Sequence, residues 1–114
     1  MKLNYPARIQ LANTPTPVQH IPQLSASHTR VNIYFKRDDL TGCALSGNKV
    51  RKLEFVVAEA QRQGADTLIT CGGIQSNHAR ATAVVAAQLG LKSHLVLRGN
   101  PDSAPDGNLL IDRL

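Results

Sequence analysis

Two short runs of the sequence carry side chains whose types and spacing suit chemistry. In Ser46-Gly47-Asn48-Lys49-Val50-Arg51-Lys52, small residues precede three cations. A helix start carries partial positive charge and disfavours each nearby cation by about 0.3–1 kcal/mol, so a basic first turn makes most sense with an anion close by. Lys49 and Lys52 stand three residues apart on one helix face, where one amine can attack a carbonyl while the other neutralises a phosphate. Neighbouring cations also favour the neutral amine that a Schiff base requires. On these residues alone, a solvated basic helix face competes with that reading.

The second run is Gly72-Gly73-Ile74-Gln75-Ser76-Asn77-His78, a glycine turn leaving a strand and feeding a helix. Such a turn exposes side chains and backbone N–H groups at the carboxyl end of a parallel sheet, where open α/β folds bind ligands. Ser76 also has an ordinary role available as a helix N-cap, and Gln75 and Asn77 as turn residues. His78 reads as a helix-face histidine, because no second His, Cys or carboxylate stands at metal-binding spacing.

Several function classes are excluded or weakened. Residues 42–49 approach a phosphate-binding P-loop, but Asn48 separates the second glycine from the lysine and Val50 replaces the magnesium-binding Ser or Thr. No G-x-G-x-x-G follows a strand, so the dinucleotide fingerprint is missing. Cys43 and Cys71 are too far apart for a CxxC pair, which argues against a metal site. The net charge of +5 is scattered along the chain, and two Tyr, two Phe and no Trp offer little for stacking on bases. No nucleic acid is expected as a partner. No apolar run approaches the roughly 20 residues of a membrane span, and residues 1–10 lack a leader-like apolar stretch, so a cytoplasmic protein with reduced thiols is expected.

The elements that must position these residues can be read from local pattern. Residues 1–30 are rich in Pro, Thr, Gln and His and are expected to form an irregular arm. Branched and aromatic residues predict a strand over 31–35. A helix should start near Asn48, with Val50, Leu53, Val57 and Ala60 on its apolar face, and stop at Gly64. A second strand is predicted over 67–71, a tight turn at Gly72-Gly73, an N-cap at Ser76 and an Ala-rich helix over 79–89 closed by Gly90. A third strand over 93–97, a turn-rich stretch over 99–107 and a helix over 108–114 complete the order β-α-β-α-β-α. That order predicts an α/β fold: a partial, open parallel sheet with flanking helices. Its bare edges make the sheet look unfinished.

Taken together, Phe35-Lys-Arg-Asp-Asp-Leu40, Gly47-Asn-Lys-Val-Arg-Lys-Leu-Glu54, Gly64-Ala-Asp-Thr-Leu68 and Gly73-Ile-Gln-Ser-Asn-His78 resemble, in order and spacing, the N-terminal part of the 1-aminocyclopropane-1-carboxylate (ACC) deaminase and D-cysteine desulfhydrase family. This family belongs to the tryptophan-synthase-β-like pyridoxal-phosphate enzymes, built from two α/β domains with the cofactor between them. The resemblance implies that residues 31–114 are an incomplete part of the cofactor-binding domain, with the second domain absent. It implies pyridoxal 5'-phosphate as cofactor, joined to Lys49 as a Schiff base, with its phosphate contacted by Lys52 and its ring 3-hydroxyl by Asn77. Ser76 matches the serine that acts near the substrate as nucleophile or proton shuttle, and Gln75 and Asn77 lie beside it as substrate contacts.

The implied reaction is D-cysteine breakdown to pyruvate, sulfide and ammonia, because His78 follows Ser76-Asn77 as in desulfhydrases, whereas ACC deaminases resemble Ser-Asn-Gln. ACC ring opening to α-ketobutyrate and ammonia is the alternative, and a non-catalytic α/β interaction module is the alternative outside enzymes. Ser46 departs from the glycine usual before Gly47. A small amino acid as substrate, and self-association or pairing with a further domain, complete the expected partners.

Overall fold

The computed structural model describes residues 4–28, 30–100, 102 and 104–114; parts of the predicted arm (residues 1–3 and 29) and of the predicted turn stretch (101 and 103) lie outside the described residues. The elements are β1 (Val18–His20), α1 (Pro22–Ala26), β2 (Tyr34–Lys36), a 3-10 turn (Asp38–Leu40), α2 (Lys49–Arg62), β3 (Thr67–Gly73), α3 (Asn77–Leu89), β4 (Lys92–Arg98) and α4 (Gly107–Arg113). The α/β architecture and the parallel β3–β4 pair agree with the expectation from sequence.

One strand pairs differently from expectation. The strand predicted over 31–35 is β2, and it joins β1 of the arm in an antiparallel pair, Val18 opposite Lys36 and His20 opposite Tyr34, instead of entering the parallel sheet. The arm is therefore irregular only in part. A three-residue strand between Pro17 and Pro22 is too short to show a period of two, so nothing local announces it. What holds it is non-local: the His20 and Tyr34 rings lie 5.0 Å apart across the pair, and the Ile21 amide donates to the Ile33 carbonyl at 3.0 Å.

β3 also runs two residues further than predicted. Gly72 and Gly73 are paired with Leu97 and Arg98, and the turn falls at Ile74-Gln75. Position 72 requires glycine because the start of α3 folds back over it: a Cβ there would lie 2.7 Å from both Cβ and Oγ of Ser76. The chain can approach the strand end this closely only where no side chain stands in the way.

The core is built from α2 and α3. Val50, Leu53 and Val57 of α2 meet Ala81, Val85 and Ala86 of α3, with Ala12, Leu45 and Leu68 closing the cluster. Fully burying a Val or Leu side chain contributes about 1.5–3 kcal/mol. Gly64 and Gly90, at φ of 72° and 69°, take the left-handed geometry that ends these helices. In β3–β4, Leu68 is buried and Leu95 and Leu97 half-buried, while Ile69 and Val96 on the opposite face remain 73% and 65% exposed. The radius of gyration, 17.3 Å, exceeds the roughly 13 Å of a compact chain of this length, as a one-sided sheet with an extended arm requires.

Candidate functional site

The loop before α2 is wound around a single hydroxyl. Thr41 is fully buried, and its Oγ1 lies 2.8, 3.0 and 2.9 Å from the carbonyls of Asp38, Leu45 and Gly47, to which it donates one at a time. The Gly47 amide donates to the Asp38 carbonyl at 2.7 Å, and Gly47 adopts φ 104°, which suits glycine. Asn48 occupies the predicted cap position, yet its side chain makes no cap hydrogen bond.

Arg51 is engaged by an acid that precedes the loop. Its Nε and Nη2 both donate to the Asp38 carboxylate at 2.7 Å, and Nη2 also donates to Thr16 Oγ1 at 3.0 Å. These hydrogen bonds, Arg51 first and Thr16 next, bring the Asp38 carboxyl down to about 2. Of the three cations that crowd the start of α2, one is thus neutralised inside the chain. Lys49 and Lys52 make no hydrogen bond or ion pair among the described residues.

Lys49 is half-buried beside a cleft of about 430 Å³, whose lining includes Ser46, Gly47, Asn48, Asn77 and Arg80. The two predicted constellations therefore touch here through Lys49 and Asn77, one wall coming from the loop before α2 and the other from the start of α3, while Gln75, Ser76 and His78 do not line the cleft. Lys52 does not line this cleft; it opens, with His78, on a smaller hollow of about 130 Å³ between α2, β3 and α3. The imidazole of His78 has a buried, unpartnered Nδ1 and is held below its ordinary pKa by burial first, then by Lys52 and Lys49.

At the start of α3, Ser76 is the N-cap, accepting from the Ala79 amide at 3.2 Å, so its hydroxyl hydrogen remains for another acceptor. The Gln75 side chain is committed elsewhere than to the cleft. Its Nε2 donates to the backbone and side-chain oxygens of Asp106 at 3.2 and 2.8 Å, and its Oε1 accepts from the Asn108 amide at 2.9 Å. Asn77 Oδ1 accepts from Asn108 Nδ2 at 2.9 Å.

Two residues of the site escape local pattern. Arg80, 8% exposed, reaches from α3 to the opposite wall, donating to the Ser46 carbonyl at 2.9 Å and lying 3.4 Å from Ser46 Oγ. Asn108 ties α4 to the β3–α3 turn. A lone Arg inside an alanine run is the only signal for the first; the second comes after Gly107 in a segment that reads simply as a helix start. A further hollow of about 460 Å³ lies between α4 and β4 and is lined by none of the predicted site residues.

Residues 9–114 match the model of the pyridoxal-phosphate dependent enzyme family. The chain belongs to that family. It is 54% identical over 107 residues to a Thermotoga maritima protein named as a candidate ACC deaminase, which covers 94% of this chain and 34% of the relative. It is likewise 54% identical over 103 residues to the D-cysteine desulfhydrase of Salmonella paratyphi A, covering 90% of this chain and 31% of the relative. A solved ACC deaminase homologue superposes with a TM-score of 0.87 at 44% identity, over 95% of this chain and 32% of that one. The chain thus spans about a third of the length of these relatives.

Membership in this pyridoxal-phosphate family can be tested against the cleft itself. The half-buried Lys49 amine has no internal partner, and the cleft's acids are taken, Asp38 by Arg51 and Asp39 by Arg37 at 2.7 Å. The lining fits the aldehyde end and ring oxygen of pyridoxal phosphate. It fits the phosphate less well, since Lys52 opens on a different hollow. Among the described residues no helix is long and apolar enough to cross a membrane, and no cluster of His, Cys, Asp and Glu could hold a metal ion.

Proposed function

We propose that this chain carries the lysine-bearing wall of a pyridoxal-phosphate enzyme acting on D-cysteine, releasing pyruvate, sulfide and ammonia in the cytoplasm. The observation that carries the reading is Lys49, half-buried and without a hydrogen-bond or ion-pair partner among the described residues, on the same cleft as Asn77. Lys49 would hold the cofactor through its amine, and the same amine would move a proton at the substrate α-carbon. When bound, pyridoxal phosphate supplies an electron sink for that carbon. Asn77 would donate its NH₂ to the ring oxygen, and the Ser76 hydroxyl, with its hydrogen unspent, would serve as the second proton carrier. Lys52, which opens on the neighbouring hollow beside His78, would supply positive charge toward the phosphate.

Gln75 contributes by holding the turn that carries Ser76 and Asn77, because both ends of its carboxamide are engaged by α4 and its cap residue. Residues 31–114 act as part of the cofactor domain. The bare, apolar face of β3–β4 favours pairing with a further domain or a second copy, since parallel sheets are normally covered on both faces.

ACC is the second candidate substrate, supported by equal identity to a relative named for that activity. The two are separated by incubating the chain with pyridoxal phosphate and either D-cysteine or ACC. Sulfide and pyruvate formed faster than by free cofactor, and lost in Lys49→Ala, are expected. α-Ketobutyrate from ACC, with no sulfide from D-cysteine, would reverse the assignment.

A further inference from the structure

We infer that Asn108 is a positioning residue: it fixes the carboxamide of Asn77 so that the oxygen faces α4 and the NH₂ is the end left for a ligand oxygen in the Lys49 cleft. This deepens the cofactor reading above and rests on it for the identity of the ligand, but the orientation comes from hydrogen-bond chemistry alone.

A carboxamide can be turned end for end with little change in shape, so its direction must be deduced from partners whose roles are fixed. Backbone groups supply those roles. The Gln75 carbonyl can only accept, and Asn108 Nδ2 lies 2.8 Å from it; the NH₂ of Asn108 therefore faces the turn. That same nitrogen, which carries two hydrogens, lies 2.9 Å from Asn77 Oδ1. Asn77 must meet a donor with its oxygen, which leaves its own NH₂ free. Asn77 Nδ2 makes no hydrogen bond among the described residues, and Asn77 lines the cleft with Lys49.

Asn108 is itself held at a fixed angle. Its backbone N–H donates to Gln75 Oε1 at 2.9 Å, and this sends Gln75 Nε2 toward the two Asp106 oxygens. Every amide in the chain Asp106–Gln75–Asn108–Asn77 is thereby set by a group that cannot reverse. Gly107 lets the segment approach this closely: it sits at φ 49°, and a Cβ there would lie 2.8 Å from Gln75 Oε1. The free NH₂ of Asn77 selects a ligand that accepts, an anionic or phenolic oxygen, in preference to one that donates.

The orientation is tested directly by hydrogen exchange of the side-chain amides, read by ¹⁵N NMR on the 114-residue chain. The Asn108 NH₂, with both hydrogens bonded, should exchange about tenfold more slowly than the Asn77 NH₂. Equal or reversed rates would overturn the inference without any cofactor present. The consequence for binding is read by borohydride trapping of pyridoxal phosphate on Lys49. Asn108→Asp, which offers only acceptors and drives Asn77 to reverse, should raise the half-saturating concentration about tenfold, and Asn108→Ala by a smaller factor, roughly threefold. An Asp variant with unchanged far-UV circular dichroism that traps as well as the Ala variant would contradict the positioning role. If the parent chain shows no Lys49-dependent trapping, the cofactor reading fails, while the exchange pattern still decides the orientation.

Discussion

Glu54 offers a quantitative test of how α2 is held in place. It lies within the apolar stripe of α2, four residues after Val50 and three before Val57, and its side chain is 2% exposed. A buried carboxylate must be compensated, and here the arm does it. The Leu11 and Ala12 amides donate to Oε1 at 2.9 and 3.0 Å, Arg8 Nε lies 3.3 Å from Oε2, and the Arg8 guanidinium sits 5.9 Å over the Phe55 ring. Glu54→Ala removes the charge, strands the buried Ala12 N–H and leaves a cavity, for a loss of about 3–5 kcal/mol. Against a stability of about 5–15 kcal/mol for a domain of this kind, that is a fifth or more of the whole. Glu54→Gln keeps an acceptor oxygen for both amides and loses only the ion pair with a half-exposed arginine, costing about 1–2 kcal/mol. Urea denaturation followed by circular dichroism reads both values. Equal losses in the two variants, or losses under about 1 kcal/mol in both, would refute the claim that the carboxylate anchors the arm to α2.

Acid should loosen the turn that carries Lys49. The Asp38 carboxyl lies at about 2 when folded against an ordinary 3.8, so its contribution to stability is complete above pH 3.8 and is lost as pH falls through about 2. Asp38→Asn should flatten the stability profile over that window, and an unchanged slope in urea titrations from about pH 5 to 2 would contradict the assignment. Gly72→Ala forces a Cβ to 2.7 Å from the Ser76 Cβ, a contact with nothing flexible to give, and should cost about 1–3 kcal/mol. Gly73→Ala, whose nearest new neighbour would be the Arg98 carbonyl at 3.9 Å, should change stability by less than about 0.5 kcal/mol, and thermal melts that rank the pair the other way would sink the packing argument.

The parts of this fold that were legible in the sequence are those fixed by neighbours in the chain. Ser76 is a working N-cap, Gly64 and Gly90 end α2 and α3 through left-handed geometry, and Val50, Leu53 and Val57 share the buried face their spacing announces. What stayed hidden depends on residues far apart. β1 is recognisable only once β2 lies beside it, and the extension of β3 through two glycines only once Leu97 and Arg98 pair with them. Lys52 illustrates the limit of helix spacing: being three residues from Lys49 did not bring it to the same cleft. Glu54 carried a signal that could have been used, since a charge in an apolar stripe demands a partner. Arg80 carried only the weak signal of a charge inside an alanine run and Asn108 carried none, because Ser46 and the β3–α3 turn that they hold are more than thirty residues away.

The central claim is that Lys49 holds pyridoxal phosphate, and peptide mapping after borohydride reduction tests it most directly. The chain and its Lys49→Ala variant are incubated with the cofactor, their absorbance recorded, and the reduced adducts located by mass spectrometry. The expected result is a long-wavelength band and a phosphopyridoxyl group on the peptide containing Lys49, both lost in the variant. A label distributed over Lys36, Lys52 and other lysines, or a band undiminished by Lys49→Ala, would contradict it.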